Sequence, residues 1–116
     1  MALMLDARVP VRLGTWGDVV PGDAVLVEGG APGPDGLPMV RFELAGSEHP
    51  AGCACCLPRS PAALALNHLF QARARGEVAF FRRVVAVTVS PEGGMAVSAA
   101  VREDPLTSGR FRPDTA

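Results

Sequence analysis

The run Val84-Val85-Ala86-Val87-Thr88-Val89 is apolar at almost every position. A strand with one wet face alternates apolar and polar residues. A run without alternation is buried on both faces, which is the habit of strands in a parallel sheet. Parallel strands need crossover connections, so this segment directs attention to further strands and to the helices that join them. Three other runs qualify. Residues 9–13 form a short β-prone stretch ended by Gly14 and Gly17. Residues 23–28 are entered from Pro21-Gly22 and left through Gly29-Gly30. In residues 39–44, Val40, Phe42 and Leu44 share one face while Arg41 and Glu43 share the other. The stretch 29–38 between the last two holds four glycines and three prolines and is read as a loop.

Residues 61–75 carry the punctuation of a helix: Ser60 as N-cap, Pro61 at the first helical position, and Gly76 as the stop. Ala62, Leu66, Leu69 and Phe70 fall on its core face, and Leu64, His68, Gln71 and Arg75 on the opposite one. Ser90-Pro91-Glu92 is a second cap, followed by a helix over residues 95–103 that Asp104-Pro105 ends. A hairpin turning at Glu92-Gly93-Gly94 is the competing reading, and alanines at 96, 99 and 100 favour the helix. Trp16, between glycines, is read as a core plug, and Arg82-Arg83 as one exposed and one stem-packed arginine. Residues 107–116 show no apolar pattern and are read as a C-terminal tail. The expectation is a small single α/β domain over residues 1–106, with a mostly parallel sheet of about four strands and one or two helices. So short a sheet leaves an open edge, for which a homodimer is the natural cover.

Charge excludes several function classes. All eleven basic residues are arginine, and the net charge is −1. Neither nucleic acid nor an anionic membrane surface is expected as a partner of such a chain. Without lysine there is no Schiff-base chemistry and no P-loop lysine to hold a phosphate. Ser60, Ser90 and Ser98 lack the Gly-x-Ser-x-Gly setting of a serine nucleophile, and no enzymatic activity is expected. No apolar run approaches the roughly 18 residues of a membrane span. The first residues lack a signal-peptide layout, and three cysteines do not make a secreted disulfide framework, so a reducing cytoplasm is the expected compartment.

The cysteines lie together in Gly52-Cys53-Ala54-Cys55-Cys56, with His49 just before them. Bridging Cys55 to Cys56 needs strained geometry, and Cys53 to Cys55 closes a very small ring. Three thiolates on one loop suit a soft or borderline ion, zinc in the first place and Cu(I) in the second. The predicted helix N-terminus and Arg59 both favour negative sulfur. A closed tetrahedral site wants a fourth ligand, and His49 is the nearest nitrogen, with Glu48 and His68 behind it.

Gly-Cys-Ala-Cys-Cys-Leu-Pro-Arg at 52–59 resembles the Gly-Cys-x-Cys-Cys block of the CobW-like P-loop GTPases, many of which are proposed metal-handling proteins. The likeness continues through the helix at 62–75, Gly76 and the strand Arg82-Arg83-Val84-Val85-Ala86-Val87-Thr88. It resumes in Asp104-Pro105-Leu106 and Arg110-Phe111-Arg112, and residues 9–15 are similar to the family's first strand. Apart from that first strand it covers roughly residues 42–112. The family's glycine-rich loop ending in Gly-Lys-Thr is missing: the chain reads Trp16-Gly17-Asp18-Val19-Val20 there. Val87 stands where the family carries an acidic residue, and no lysine exists for base recognition. The resemblance therefore implies a relative that keeps the metal motif and binds no nucleotide.

The function expected is non-enzymatic metal binding through Cys53, Cys55 and Cys56 with His49 as candidate fourth ligand. The resemblance adds metal trafficking or homeostasis as its setting. Two alternatives stay open: a thiol/disulfide redox protein cycling Cys53 and Cys55, and a protein-interaction module whose cysteines are structural.

Overall fold

Five strands form one sheet in a computed structural model that describes residues 6–30, 33, 36–44 and 60–114. They are β1 (Val9–Gly14), β2 (Asp23–Glu28), β3 (Met39–Phe42), β4 (Arg83–Val87) and β5 (Phe111–Pro113). All pairings are parallel, in the order β3-β2-β4-β1-β5. The apolar run that anchored the sequence reading is the middle strand. Val84 pairs with Val11 on one side and Ala24 on the other, and Val85 with Arg12 and Val25. From Val84 to Val87 every β4 side chain is buried, as are all six of β2.

Three helices cover one face: α1 (Pro61–Ala74), α2 (Pro91–Glu103) and α3 (Pro105–Arg110). Leu66 and Leu69 of α1 and Val97 and Val101 of α2 pack with Val9, Val11, Leu26, Val84 and Ala86 into the larger core. The other face, Val25, Val27, Val85 and Val87, packs with Trp16, Val19, Leu37 and Met39, and among the described residues no α-helix lies on it. Trp16 opens a short 3₁₀ turn (Trp16–Asp18) after β1 and is partly buried over those valines. A Cβ built on Gly33 would overlap the Trp16 ring, so glycine at 33 permits the chain's close passage there.

α1 begins and ends where its residues dictate. The Ser60 hydroxyl accepts the Ala63 amide at 3.2 Å, and Pro61 occupies the first turn. At its end Gly76 turns to φ +72°, with the Gly76 amide on Arg73 O and the Glu77 amide on Ala72 O, the paired bonds of a Schellman stop. His68 is exposed, as its face predicts.

The sequence reading and the structure part in three places. First, residues 91–103 are one continuous helix that starts a turn earlier than residue 95, because the Ser90 hydroxyl accepts the Gly93 amide. Second, the described residues form five strands and three α-helices, against about four and one or two. Third, the difference lies in the segment read as a tail: residues 107–114 enter the domain. Asp104-Pro105 ends α2 and also starts α3, where the Asp104 carboxylate accepts the Thr107 amide at 2.9 Å. β5 follows beside β1, with Val9 opposite Phe111. A six-residue helix and a three-residue strand are too short to show a period.

Candidate functional site

Connections leave the C-terminal ends of neighbouring strands over opposite faces. β3 and β4 lead into α1 and α2 on the helical face, while β1 and β2 lead into the segments bearing Trp16 and Leu37 on the other. Between such strands a parallel sheet opens crevices at its carboxyl edge, where ligands of this architecture bind.

Two of these positions are filled by the chain's own carboxylates. After β1, Asp18 accepts the Thr15 amide at 2.7 Å and the Thr15 hydroxyl at 3.1 Å. After β4, the buried Glu28 reaches across from the end of β2 to the N-terminus of α2. Its Oε1 accepts the amides of Val89 at 2.8 Å and Ser90 at 3.2 Å, and its Oε2 accepts the Ser90 hydroxyl at 2.7 Å. Amides at a helix start are a natural anion seat. Here the anion is built in. β4 also stops at Val87 because the next amides turn toward Glu28, leaving Val89 69% exposed.

Neither carboxylate was singled out from the sequence. The available signal was Gly93 within the first turn of a capped helix, since a glycine at such a place can mark close approach of another group. A Cβ there would collide with the Glu28 carboxylate. At the opposite edge, Arg83 grips the buried Asp23 with two bonds, Nε to Oδ1 at 3.2 Å and Nη2 to Oδ2 at 2.7 Å, and bonds Asp18 O at 3.0 Å. Arg82 is exposed, as one of the pair was expected to be, whereas Arg83 spends its guanidinium on Asp23.

These bonds depress all three carboxylates. The Ser90 hydroxyl is the chief cause for Glu28; burial opposes it, and the Val89 and Ser90 amides reinforce it. For Asp23 burial pushes upward, and the Arg83 bond and Val20 amide outweigh it. The Thr15 amide, then its hydroxyl, lower Asp18. A carboxyl depressed on folding gives up its proton more readily in the native chain than in the unfolded one. Its contribution is therefore complete above the unfolded pKa and lost as pH falls through the folded one. The urea midpoint is expected to stay level from pH 7 to about pH 5 and to drop steadily below about pH 4. Glu28→Gln should flatten part of that acid limb. A midpoint unchanged down to about pH 3 would refute this assignment.

His49, Cys53, Cys55 and Cys56 lie outside the described residues, as do Glu48 and Arg59. The described residues that bracket them are Leu44, two residues beyond β3, and Ser60, the cap of α1. Both belong to the carboxyl edge. Beside them is a cleft of about 510 Å³ lined by Gly29, Arg41, Phe42, Glu43, Leu64 and His68. Two of these lining residues are bonded to each other, Arg41 donating to Gly29 O at 3.0 Å. Among the described residues no group of three or more His, Cys, Asp or Glu is placed to hold a metal ion, so this cleft alone makes no metal centre. Nor is any described helix long and apolar enough to cross a membrane. No family model, curated protein or solved structure matches the chain.

Proposed function

We propose that this chain binds a metal ion, zinc in the first place, through Cys53, Cys55 and Cys56 with His49 as candidate fourth ligand, and that it carries out no reaction of its own. The observation that carries the reading is the Cys-x-Cys-Cys cluster itself. Three sulfurs that close packing in sequence keeps from good disulfides are a donor set for a soft or borderline ion, and one imidazole completes a tetrahedral shell. Position supports it: the motif is strung between the end of β3 and the capped N-terminus of α1, whose dipole favours thiolate. Binding releases the thiol protons, so affinity falls as pH falls. By its resemblance to the CobW-like proteins, the setting is metal trafficking or homeostasis. Two features support the absence of a nucleotide: the chain has no lysine, and Asp18 and Glu28 put negative charge in the turns after β1 and β4.

The test is metal content by mass spectrometry on untagged protein prepared without added metal. About one zinc per chain is expected, and none in the Cys53→Ser, Cys55→Ser, Cys56→Ser triple variant. Protein without metal, and without uptake under reducing conditions, would overturn the proposal. Thiols of lowered pKa in that metal-free protein would then point to redox cycling of Cys53 and Cys55.

A further inference from the structure

The amino edge of the sheet, opposite the edge that holds Leu44 and Ser60, carries a cluster that neither the sheet nor the metal motif explains. Arg73, in the last turn of α1, lays its guanidinium over three phenylalanines, with its carbon 4.0 Å from the Phe80 centroid, 5.2 Å from Phe81 and 6.0 Å from Phe70. Arg110, in the last turn of α3, stands 4.7 Å from the Phe70 centroid. Phe70 meets Phe111 edge to face at 5.9 Å. Phe81 and Phe111 are fully buried and belong to the core, but Phe80 is 64% exposed.

Both cations are half-buried, unlike the exposed Arg12, Arg41, Arg82 and Arg102. Among the described residues neither guanidinium has a carboxylate within ion-pair distance; Arg110 donates to Asn67 Oδ1 at 3.3 Å. Of the arginines nearby, Arg75 is paired with Glu77, and Arg8 and Arg112 with Asp6, while Arg82 is unpaired among the described residues but exposed to water. Burial against the rings lowers the Arg73 pKa, the signature of a charge that has lost water without gaining an anion. The helix C-terminus answers it with only about half a charge. Phe70, Arg73 and Phe80, with Ala7 and Ala74, line a hollow of about 360 Å³, and Arg110 stands beside it against Phe70. A net charge of −1 makes this cationic surface a local feature, and two arginines are too few for a nucleic-acid backbone.

We infer that the Arg73–Phe80–Arg110 surface docks an acidic segment of a partner protein that sets a large apolar side chain against Phe80. Carboxylates supply the anions that Arg73 and Arg110 lack among the described residues, and the apolar group covers the exposed ring. Arginine and aromatic residues in this combination are the usual anchors of protein interfaces. The inference is independent of the metal proposal, since it uses none of residues 45–59.

The test is selection from a random displayed peptide library against the full chain. Peptides with Asp or Glu flanking an aromatic or large aliphatic residue should be enriched. A synthetic peptide of that consensus, followed by fluorescence anisotropy, should lose about tenfold or more in affinity to Arg73→Gln and to Phe80→Ser, and should bind more weakly as salt rises. Arg75→Gln, on the same helix end but paired with Glu77, should bind as the parent does. Thermal unfolding checks that each variant folds, and Arg110→Gln replaces Arg73→Gln if that variant does not. No acidic consensus, or one that the Arg73 and Phe80 variants retain, overturns the inference. So does a dimer in sedimentation that Phe80→Ser dissolves, which would assign the surface to a second copy of this chain.

Discussion

Ending the chain after Leu106 is expected to abolish cooperative folding. The deleted residues look dispensable in sequence, yet three supports go with them. Phe111 is fully buried in the main core, and emptying such a site costs about 3–5 kcal/mol. Thr107, also fully buried, accepts the Asn67 Nδ2 donor at 2.8 Å; without it a buried amide loses a partner, at about 1–3 kcal/mol. β5 pairs with β1 through Val9, Pro10 and Val11, and its removal turns β1 into an open edge. The first two losses alone come to about 4–8 kcal/mol, a large part of a typical total of about 5–15 kcal/mol, and the lost strand pairing adds to them. Urea unfolding followed by circular dichroism should show no sigmoidal transition for the truncated chain. Phe111→Ala should still fold, with stability reduced by about 3–5 kcal/mol. A truncated chain with the parent's midpoint would mean that β5 rests on the sheet without supporting it.

What the sequence disclosed, and what it hid, follows the range over which each signal acts. α1 was legible almost to the residue because its start and stop are written locally, in Ser60-Pro61 and Gly76. β2 and β4 were legible because burial on both faces leaves an apolar run that needs no partner to be recognised. The end of β4 was not, since the apolar run continues to Val89 while the structure stops at Val87. The cause is Glu28, whose bonds to Val89 and Ser90 span 61 and 62 residues of sequence. The same bonds hold the start of α2 and thereby exclude the hairpin. α3 and β5 stayed hidden because Asp104-Pro105 reads equally well as a stop and a start. The cysteine motif was conspicuous in sequence, but its residues lie outside those described, so the metal reading rests on donor chemistry and on where the segment is anchored.

Gly93→Ala is expected to destabilise the domain by about 2 kcal/mol, although alanine favours a helix over glycine by about 1 kcal/mol. The added methyl takes the place of the Glu28 carboxylate, which must leave the Val89 and Ser90 amides and the Ser90 hydroxyl. Glu28→Ala removes the same charge-assisted bonds and should itself cost about 2–3 kcal/mol. The two losses describe one event, so they cannot add. In the Glu28→Ala background the methyl meets no carboxylate, and Gly93→Ala should become neutral or stabilise by up to about 1 kcal/mol. The double-mutant cycle, read from urea midpoints at neutral pH, is therefore expected to show a coupling of about 2–3 kcal/mol. Gly93→Ala costing the same in both backgrounds would show that glycine at 93 answers to the helix backbone and not to Glu28. A full coupling would establish that this negative charge is a fixed part of the carboxyl edge. An anionic ligand entering the crevice after β4 would then have to displace a carboxylate held by three hydrogen bonds.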